Sequence, residues 1–235
     1  MAKDSPEPLS TGCKSLDEML NGGVRQGEVT LVYGEPSTGK TSLAIQCAVA
    51  CAKRGLKTIF VDSENTFSPN RLAQIAGSKL DEVSTLIFVF KPRSFQEQSS
   101  LIDALANYNL SSIALVVVDT VTALYRAELG PAENIFALNM ELNWQLAYLN
   151  ELARNYGTAV LLTGQVRSVV RGGLAERIEP VANRLLKFWA QTVISLRAVS
   201  DSTTREAILE KELQSGELIR CLYVLVENGM VSASK

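Results

Sequence analysis

Apolar and polar positions follow two periods along the chain, and the two periods alternate. Short runs of β-branched and aliphatic residues predict strands, and these runs lie at residues 28–33, 58–61, 86–90, 113–118 and 159–163. Between them, apolar residues recur at three- and four-residue intervals, which predicts amphipathic helices, the longest of them over residues 135–153. Strands that alternate with helices in this way predict an open, mostly parallel sheet with helices on both faces.

The pattern changes after Gly164. Residues 165–180 contain glycines and charges without a clear period, whereas residues 192–198 and 218–226 are typical of strands with no long helix between them. An antiparallel extension at the C-terminal edge of the sheet is the simplest arrangement of these strands. The sequence shows no internal repeat and no long linker, so we expect a flexible leader over residues 1–8 and one α/β core over residues 9–235.

Composition narrows the classes of function. With 23 basic and 25 acidic residues the net charge is −2, so any nucleic-acid surface must be local. The sequence has no histidine, which removes every His-based catalytic triad, and its four cysteines lack the paired spacing of a zinc site. No apolar run approaches the roughly 18 residues that a membrane span needs. We therefore expect a cytoplasmic protein.

The segment after the first predicted strand fits the phosphate-binding pattern GxxxxGK[ST] at every fixed position. It consists of Gly34, Glu35, Pro36, Ser37, Thr38, Gly39, Lys40 and Thr41, and Ser42 follows it. Glycines in this P-loop pattern let backbone N–H groups turn inward toward phosphate oxygens, and the N-terminus of the following helix favours negative charge. We expect Lys40 to reach the β- and γ-phosphates of a nucleoside triphosphate and the Thr41 hydroxyl to bind Mg²⁺. A chance glycine-rich turn is the alternative, but the strand before the segment and the helix after it favour the phosphate site.

Two carboxylates stand where such a site needs them. Asp119 ends the apolar run LVVV and is our second candidate ligand for Mg²⁺, although a carboxylate there can also cap a helix or face solvent. Glu64 follows the second predicted strand, where it could orient a water molecule for attack on the γ-phosphate. From spacing alone, a solvated loop glutamate is the more ordinary explanation of Glu64.

Together these segments resemble the RecA/RadA recombinase superfamily, and within it most closely the archaeal RadB group, from Leu9 to about Val231. Residues 62–72, DSENTFSPNRL, resemble the recombinase stretch DTEGTFRPERL, and residues 163–166, TGQV, resemble TNQV. The resemblance implies a RecA-like P-loop NTPase core that binds ATP and Mg²⁺. It also gives Glu64 the place of the catalytic glutamate, Arg71 that of the arginine packed on adenine, and Gln165 that of the γ-phosphate sensor.

The residues themselves leave other roles open for two of these side chains. Arg71 is also explained as an ordinary exposed arginine on a helix, and Gln165 as a buried glutamine that satisfies backbone groups. In the superfamily the segment that begins at Asp119 leads into a first DNA loop with several arginines. Here residues 126–133 contain one arginine, Arg126, and two glutamates, Glu128 and Glu133, which makes the loop a poor phosphate binder.

A second stretch is a better candidate for DNA contact. Residues 167–187 contain five cationic residues and two glutamates, a local charge of +3. The cationic residues are Arg167, Arg171, Arg177, Arg184 and Lys187. Glycines beside Arg171 would let a loop follow a sugar–phosphate backbone, which suits sequence-independent binding of single-stranded DNA through Arg167, Arg171 and Arg177. The alternative is a solvated loop followed by a helix whose charges face water.

The resemblance also implies partners and an activity. Recombinases of the RadA type carry an N-terminal helix-hairpin-helix domain and a polymerising linker, whereas about eight residues precede the core here, so we expect neither. RadB proteins are similarly reduced to the core. We therefore expect a weak, DNA-dependent ATPase that assists homologous recombination and DNA repair by modulating a RadA-type recombinase. Self-association is compatible with the sequence.

Two other classes of function fit the sequence less well. A KaiC-like regulatory nucleotide switch would act on a protein partner without DNA, but such proteins carry adjacent glutamates after the second strand, and residues 62–65 do not. A metabolic kinase would need a phosphoacceptor pocket and lid arginines, and the sequence does not identify either.

Overall fold

A computed structural model of the chain describes residues 7–108, 110–130, 132–169, 177–199, 203–211 and 219–233. The strands, in chain order, are β1 (Val29–Gly34), β2 (Lys57–Asp62), β3 (Ile87–Phe90), β4 (Ile113–Asp119), β5 (Ala159–Gly164), β6 (Val166–Val169), β7 (Arg177–Pro180), β8 (Thr192–Ala198), β9 (Thr204–Lys211), β10 (Ile219–Val226) and β11 (Gly229–Ser232). The α-helices are α1 (Lys14–Met19), α2 (Lys40–Lys53), α3 (Pro69–Ala76), α4 (Leu80–Ser84), α5 (Phe95–Ala104), α6 (Ala123–Ala127), α7 (Ala132–Tyr156) and α8 (Asn183–Trp189).

Within the described ranges, nine of the strands form one sheet in the order β11-β10-β9-β8-β1-β5-β4-β2-β3. Strands β3, β2, β4, β5, β1 and β8 pair in parallel. Strands β9, β10 and β11 then continue the sheet in antiparallel fashion from β8. The predicted fold class is therefore confirmed, with an antiparallel extension at the C-terminal edge. Residues 192–198, which we expected within that extension, instead form β8, which pairs in parallel with β1. Strands β6 and β7 form a separate antiparallel pair within the stretch for which the sequence showed no period.

The sheet lies between two layers of helices, each with its own apolar core. In β4, Leu115 and Val117 pack in the core that contains α2, whereas Val116 and Val118 pack in the core that contains α5 and α7. All four side chains are fully buried. A strand that is covered on both faces needs apolar residues at every position, and this is why the run over residues 113–118 is continuous.

The parallel strands bring their carboxyl ends to one edge of the sheet. Gly34, Asp62, Asp119 and Gly164 are the last residues of β1, β2, β4 and β5, and Asp62 is in register with Asp119. Ligands of open α/β sheets bind at this edge, because the loops that leave the strands meet there. The P-loop, Glu64 and Gln165 thus arise from three loops at one edge. Among the helices that the structure describes, none combines the length and apolar character needed to cross a membrane.

Candidate nucleotide site

The loop between β1 and α2 has the backbone of a tight turn. Ser37 and Gly39 adopt the left-handed conformation, with φ of 64° and 98°, and Gly39 is the N-cap of α2. The left-handed φ of Gly39 favours glycine there, and a Cβ atom would also lie 2.7 Å from the Leu225 Cδ2 atom, so that side chain would have to move. The Thr38 hydroxyl donates to the Glu35 carbonyl at 2.8 Å and closes the turn. The result is a compact loop at the N-terminus of a 14-residue helix, where an anion is favoured.

The Lys40 ammonium lies against this loop. Its Nζ atom donates to the carbonyl oxygens of Gly34 at 2.8 Å and of Glu35 at 2.9 Å. Burial lowers the pKa of Lys40 below its ordinary value, and the nearby carboxylates of Asp119, Glu64 and Glu35 oppose that shift. A half-buried ammonium with two neutral carbonyl partners gains more from a phosphate oxygen, since a hydrogen bond between two charged groups is stronger than one to a neutral carbonyl.

Asp119 provides an unsatisfied oxygen close to Thr41. The carboxylate is fully buried, its Oδ1 atom accepts a hydrogen bond from the Thr163 hydroxyl, and its Oδ2 atom has no hydrogen-bond partner. Burial raises the pKa of Asp119, the hydrogen bond from Thr163 and the neighbouring Thr41 hydroxyl oppose that shift, and the negative charges of Glu64 and Asp62 add to it. An orphaned carboxylate oxygen next to a threonine hydroxyl fits the oxygen donor set that Mg²⁺ prefers. Thr41 and Asp119, the two predicted ligands, therefore lie together.

Glu64 and Gln165 also lie together, although 101 residues separate them in the sequence. The Gln165 amide donates to the Glu64 Oε1 atom, and the Thr120 hydroxyl donates to the same oxygen at 3.3 Å. The Gln165 Oε1 atom in turn accepts from the Arg126 guanidinium at 3.3 Å. The predicted base and the predicted sensor are thus one hydrogen-bonded unit, and Arg126 from the first candidate DNA loop is joined to it.

The antiparallel extension supports the P-loop from outside, which the sequence did not indicate. The Tyr223 hydroxyl donates to the Thr38 carbonyl at 2.7 Å, and the Arg205 guanidinium donates to the Ser37 carbonyl at 3.2 Å. Tyr223 is fully buried, and the sequence offers no signal for its role beyond an aromatic residue within a predicted strand. The backbone carbonyls of the loop are therefore held by β9 and β10, through side chains that lie 168 and 185 residues further along the chain.

Arg71 contacts the turn between β10 and β11. Its guanidinium donates to the Glu227 carbonyl at 2.6 Å, to the Val226 carbonyl at 3.3 Å and to the Ser42 hydroxyl at 3.2 Å. Arg71 therefore links α3, the start of α2 and the C-terminal hairpin at one side of the P-loop. Its contact with adenine stays a prediction.

Comparisons with known proteins agree with this geometry. The Rad51 family profile matches residues 7–232, which is nearly the whole chain. The chain belongs to the Rad51 family. Within it, the chain is 32% identical to the DNA repair and recombination protein RadB of Methanococcoides burtonii, over 97% of this chain and 99% of that protein.

Two further relatives point to the same group of the Rad51 family. The RadB protein of Methanobrevibacter smithii is 34% identical, over 95% of this chain and 94% of that protein. A crystal structure of the RadB recombinase superimposes with a TM-score of 0.80 at 34% identity, covering 96% of this chain and all of that one. The resemblance to RadB that the sequence suggested is confirmed.

One departure from the recombinase motif has a structural explanation. Asn65 stands where the recombinase stretch has glycine, and its φ is 56°. Asparagine is among the few residues other than glycine that enter this left-handed region readily. The Asn65 Oδ1 atom accepts from the Lys91 ammonium at 2.8 Å, and Lys91 also forms an ion pair with Asp62 at 3.5 Å. Asn65 therefore adopts a left-handed turn that glycine would also allow, and its side chain adds a hydrogen bond with Lys91.

The candidate DNA-binding residues are more dispersed in the structure than the residues of the nucleotide site. Arg167 is exposed on β6, in register with Glu179 of β7. Arg171 lies outside the described residues, and Arg177 belongs to β7 with only its backbone described. Lys187 does not simply face water, because it is bonded to Glu210 at 2.7 Å.

Glu128 of the first candidate loop accepts from the Phe95 amide at 2.9 Å and so caps the start of α5. One of the two acidic residues in that loop thus has a structural role. The described arginines at the DNA side, Arg126 and Arg167, are both exposed.

Proposed function

We propose that this member of the Rad51 family binds ATP with Mg²⁺ at the P-loop and hydrolyses it slowly. We propose further that it contacts DNA and assists recombinational repair by modulating a RadA-type recombinase. The observation that supports the proposal is the convergence of Lys40, Thr41, Asp119, Glu64 and Gln165 at the carboxyl edge of the parallel sheet.

Binding rests on the P-loop and on the pair formed by Thr41 and Asp119. Lys40 exchanges its two carbonyl partners for phosphate oxygens, and the start of α2 favours the negative charge of the phosphates. The Thr41 hydroxyl and the orphaned Asp119 oxygen hold Mg²⁺. Bound Mg²⁺ neutralises charge on the phosphate oxygens.

Hydrolysis rests on Glu64 as the residue that orients and deprotonates the attacking water. Gln165 and Thr120 fix one of its oxygens, Oε1, and the other oxygen is left to accept the proton. We propose that turnover is slow.

DNA contact is assigned to Arg126 and Arg167 among the described residues, and to Arg171 and Arg177 from the sequence. The support is the exposure of the first two side chains and the family to which the chain belongs. Two relatives carry the name DNA repair and recombination protein, and we extend that role to this chain. With few cations on the surface, we expect binding to be weak and strongly dependent on salt.

A titration with ATP in the presence and absence of Mg²⁺ tests the binding proposal. Lys40→Ala should weaken Mg²⁺-ATP binding by about a hundredfold, the scale of two lost charge-assisted hydrogen bonds. Lys53→Ala, at the exposed end of the same helix, is the matched control and should bind like the wild type. Equal affinity of the Lys40→Ala variant and the wild type would refute the site.

Phosphate release tests the catalytic proposal. Glu64→Gln keeps the size of the side chain and its contacts with Gln165 but loses the base, so it should retain ATP binding and lose nearly all turnover. Glu18→Gln, an exposed change on α1, controls for the loss of one negative charge. Turnover that persists in the Glu64→Gln variant would remove Glu64 from the base role.

Binding of single-stranded DNA across a salt series tests the DNA proposal. Log K should fall linearly with log salt, and Arg167→Ala should lower the slope by about one, because one phosphate contact is lost. Arg220→Ala, an exposed arginine on β10, is the control. Wild-type protein that does not bind DNA even at low salt would favour a nucleotide switch with a protein partner.

A further inference from the structure

A chain of polar side chains, all buried except the half-buried Glu141 at its end, runs from the catalytic edge of the sheet into the helix layer. It consists of Ser63, Gln98, Gln145, Ser99 and Glu141, joined by consecutive hydrogen bonds. Gln98 and Gln145 are 0% exposed, and Ser99 is 1% exposed. The apolar core that contains α5 and α7 surrounds them. Polar groups are costly in such a place unless they are paired, and here each pairs with the next.

Gln98 is the member of this chain that reaches both catalytic loops. Its Oε1 atom accepts from the Ser63 hydroxyl at 2.7 Å, and Ser63 directly precedes Glu64. Its Nε2 atom donates to the Val121 carbonyl at 3.3 Å, two residues after Asp119, and to the Gln145 Oε1 atom at 2.8 Å. One amide therefore joins the loop after β2 to the loop after β4.

Backbone hydrogen bonds also join these two loops, so the contacts of Gln98 add to an existing network. The Ser63 amide donates to the Asp119 carbonyl at 2.9 Å, and the Val121 amide donates to the Thr163 carbonyl at 3.0 Å. The loop after β2 is closed in addition by Asp62, which accepts from the amides of Thr66 and Phe67 at 2.9 Å each. Glu64 stands at the centre of this arrangement.

We propose that Gln98 is a positioning residue for hydrolysis: by holding Ser63 and Val121 it fixes Glu64 in register with Asp119 and the P-loop. The inference rests on the proposed catalytic role of Glu64. Gln98 does not touch the nucleotide site, so its effect is on the position of the base and not on the affinity for ATP. An apolar residue would fill the same space between α5 and the sheet, but it could not bond either loop.

Two variants and one control test this role. Gln98→Met keeps the volume and removes every hydrogen bond of the amide, and Ser63→Ala removes only the bond to the loop that carries Glu64. Gln96→Met is the matched control, because Gln96 is exposed on the same helix. For each protein we would measure kcat and KM for ATP, and by NMR the hydrogen exchange of the Ser63, Thr66, Phe67 and P-loop amides.

In Gln98→Met, the amides of Ser63, Thr66 and Phe67 should exchange at least about tenfold faster, while P-loop amides keep wild-type rates. The kcat should fall by about tenfold or more with KM within about twofold, since a small misplacement of a catalytic group is costly. Ser63→Ala should show the same pattern more weakly. The double variant should be no worse than Gln98→Met alone, because both changes break one connection.

The hydrogen-exchange and kinetic measurements together separate this inference from the proposed function. Exchange that is unchanged at Ser63, Thr66 and Phe67 in both variants overturns the positioning role, whatever the turnover. Exchange that rises equally in the P-loop also overturns it, because that result indicates general loosening. If wild-type protein does not hydrolyse ATP, the proposed activity fails while the exchange arm still decides whether Gln98 orders the loop.

Discussion

Replacement of Asp119 by asparagine should stabilise the free protein and abolish its response to Mg²⁺. The carboxylate is fully buried, and its Oδ2 atom has no partner. Lys40 attracts it, but burial outweighs that attraction, since the pKa of Asp119 is raised while that of Lys40 is lowered. In the absence of a metal ion, the charge on Asp119 is therefore a source of instability.

The size of the effect follows from the unpaired oxygen. Leaving a buried polar group unsatisfied costs about 1–3 kcal/mol, and more when the group is charged. Asp119→Asn removes the charge and keeps an oxygen to accept from Thr163, but its amide is not fully satisfied either. We therefore expect a net gain of about 1–2 kcal/mol in the free energy of unfolding. At about 2–4 °C per kcal/mol for a chain of this size, Tm should rise by about 2–8 °C.

The assay is thermal unfolding with and without nucleotide, in Mg²⁺ or in a chelator. For the wild type, Mg²⁺-ATP at about a hundred times its Kd adds about 2.7 kcal/mol, and this gain requires the metal. For Asp119→Asn, the nucleotide should give the same small shift in Mg²⁺ as in the chelator. The order of stability of the two proteins should thus reverse when Mg²⁺-ATP is added.

Asp81→Asn, an exposed change on α4, controls for the loss of one carboxylate. It should alter neither the free energy of unfolding nor the stabilisation by Mg²⁺-ATP by more than a few tenths of a kcal/mol. Two results would refute the reasoning. A lower Tm of Asp119→Asn than of the wild type, both without nucleotide, would show that the charge on Asp119 does not destabilise the free protein. A full Mg²⁺-dependent shift in the variant would show that Asp119 does not hold the metal.

Three further outcomes are expected. Tyr223→Phe removes the bond to the Thr38 carbonyl, so it should lower the free energy of unfolding in urea by about 1–2 kcal/mol and weaken ATP binding. If neither stability nor affinity changes, the C-terminal strands do not support the P-loop. Asn65→Ala should be about 1 kcal/mol less stable than Asn65→Gly, because both lose the bond to Lys91 and only alanine resists the left-handed turn; equal stability would contradict this. Burial raises the pKa of the Cys51 thiol to about 12 and that of Cys221 to about 11, so a thiol reagent at about pH 8 should react slowly with native protein and quickly after unfolding.

Much of the fold could be predicted because the parallel strands carry signals that tertiary context does not override. Strands β1, β2, β4 and β5 are runs of mostly apolar residues buried on both faces, and such runs are hard to place anywhere else. The P-loop motif then fixes which edge of the sheet is the functional one. Once that edge is known, the carboxylates and the glutamine that follow the other parallel strands are also expected there.

The antiparallel strands were harder to predict. Strand β9, with the sequence TREAILEK, is rich in residues that favour helices and carries four charges in eight positions. It becomes a strand because β8 would otherwise expose an unpaired edge, and that requirement comes from the sheet and not from the local sequence. The β6–β7 pair was missed for a similar reason, since each of its strands has only four residues.

The site residues that the sequence did not reveal share one property. Gln98 and Tyr223 act on backbone carbonyls or on a serine hydroxyl far away in the chain, and neither stands in a motif. A glutamine within a helix is ordinarily a solvent-facing residue, so only the packed structure shows that this one is fully buried.

These two side chains also support different halves of the site. Tyr223 holds the P-loop, where the phosphates are expected to bind, and Gln98 holds the loop of Glu64, where the water is expected to be activated. No bond among the described contacts joins one support to the other. Binding and hydrolysis should therefore be separable in this protein: loss of the Tyr223 hydroxyl should act mainly on affinity, and loss of the Gln98 amide mainly on turnover. The proposed role as an ATP-bound partner of a recombinase requires only the first support, so the slow turnover that we propose is compatible with an intact P-loop.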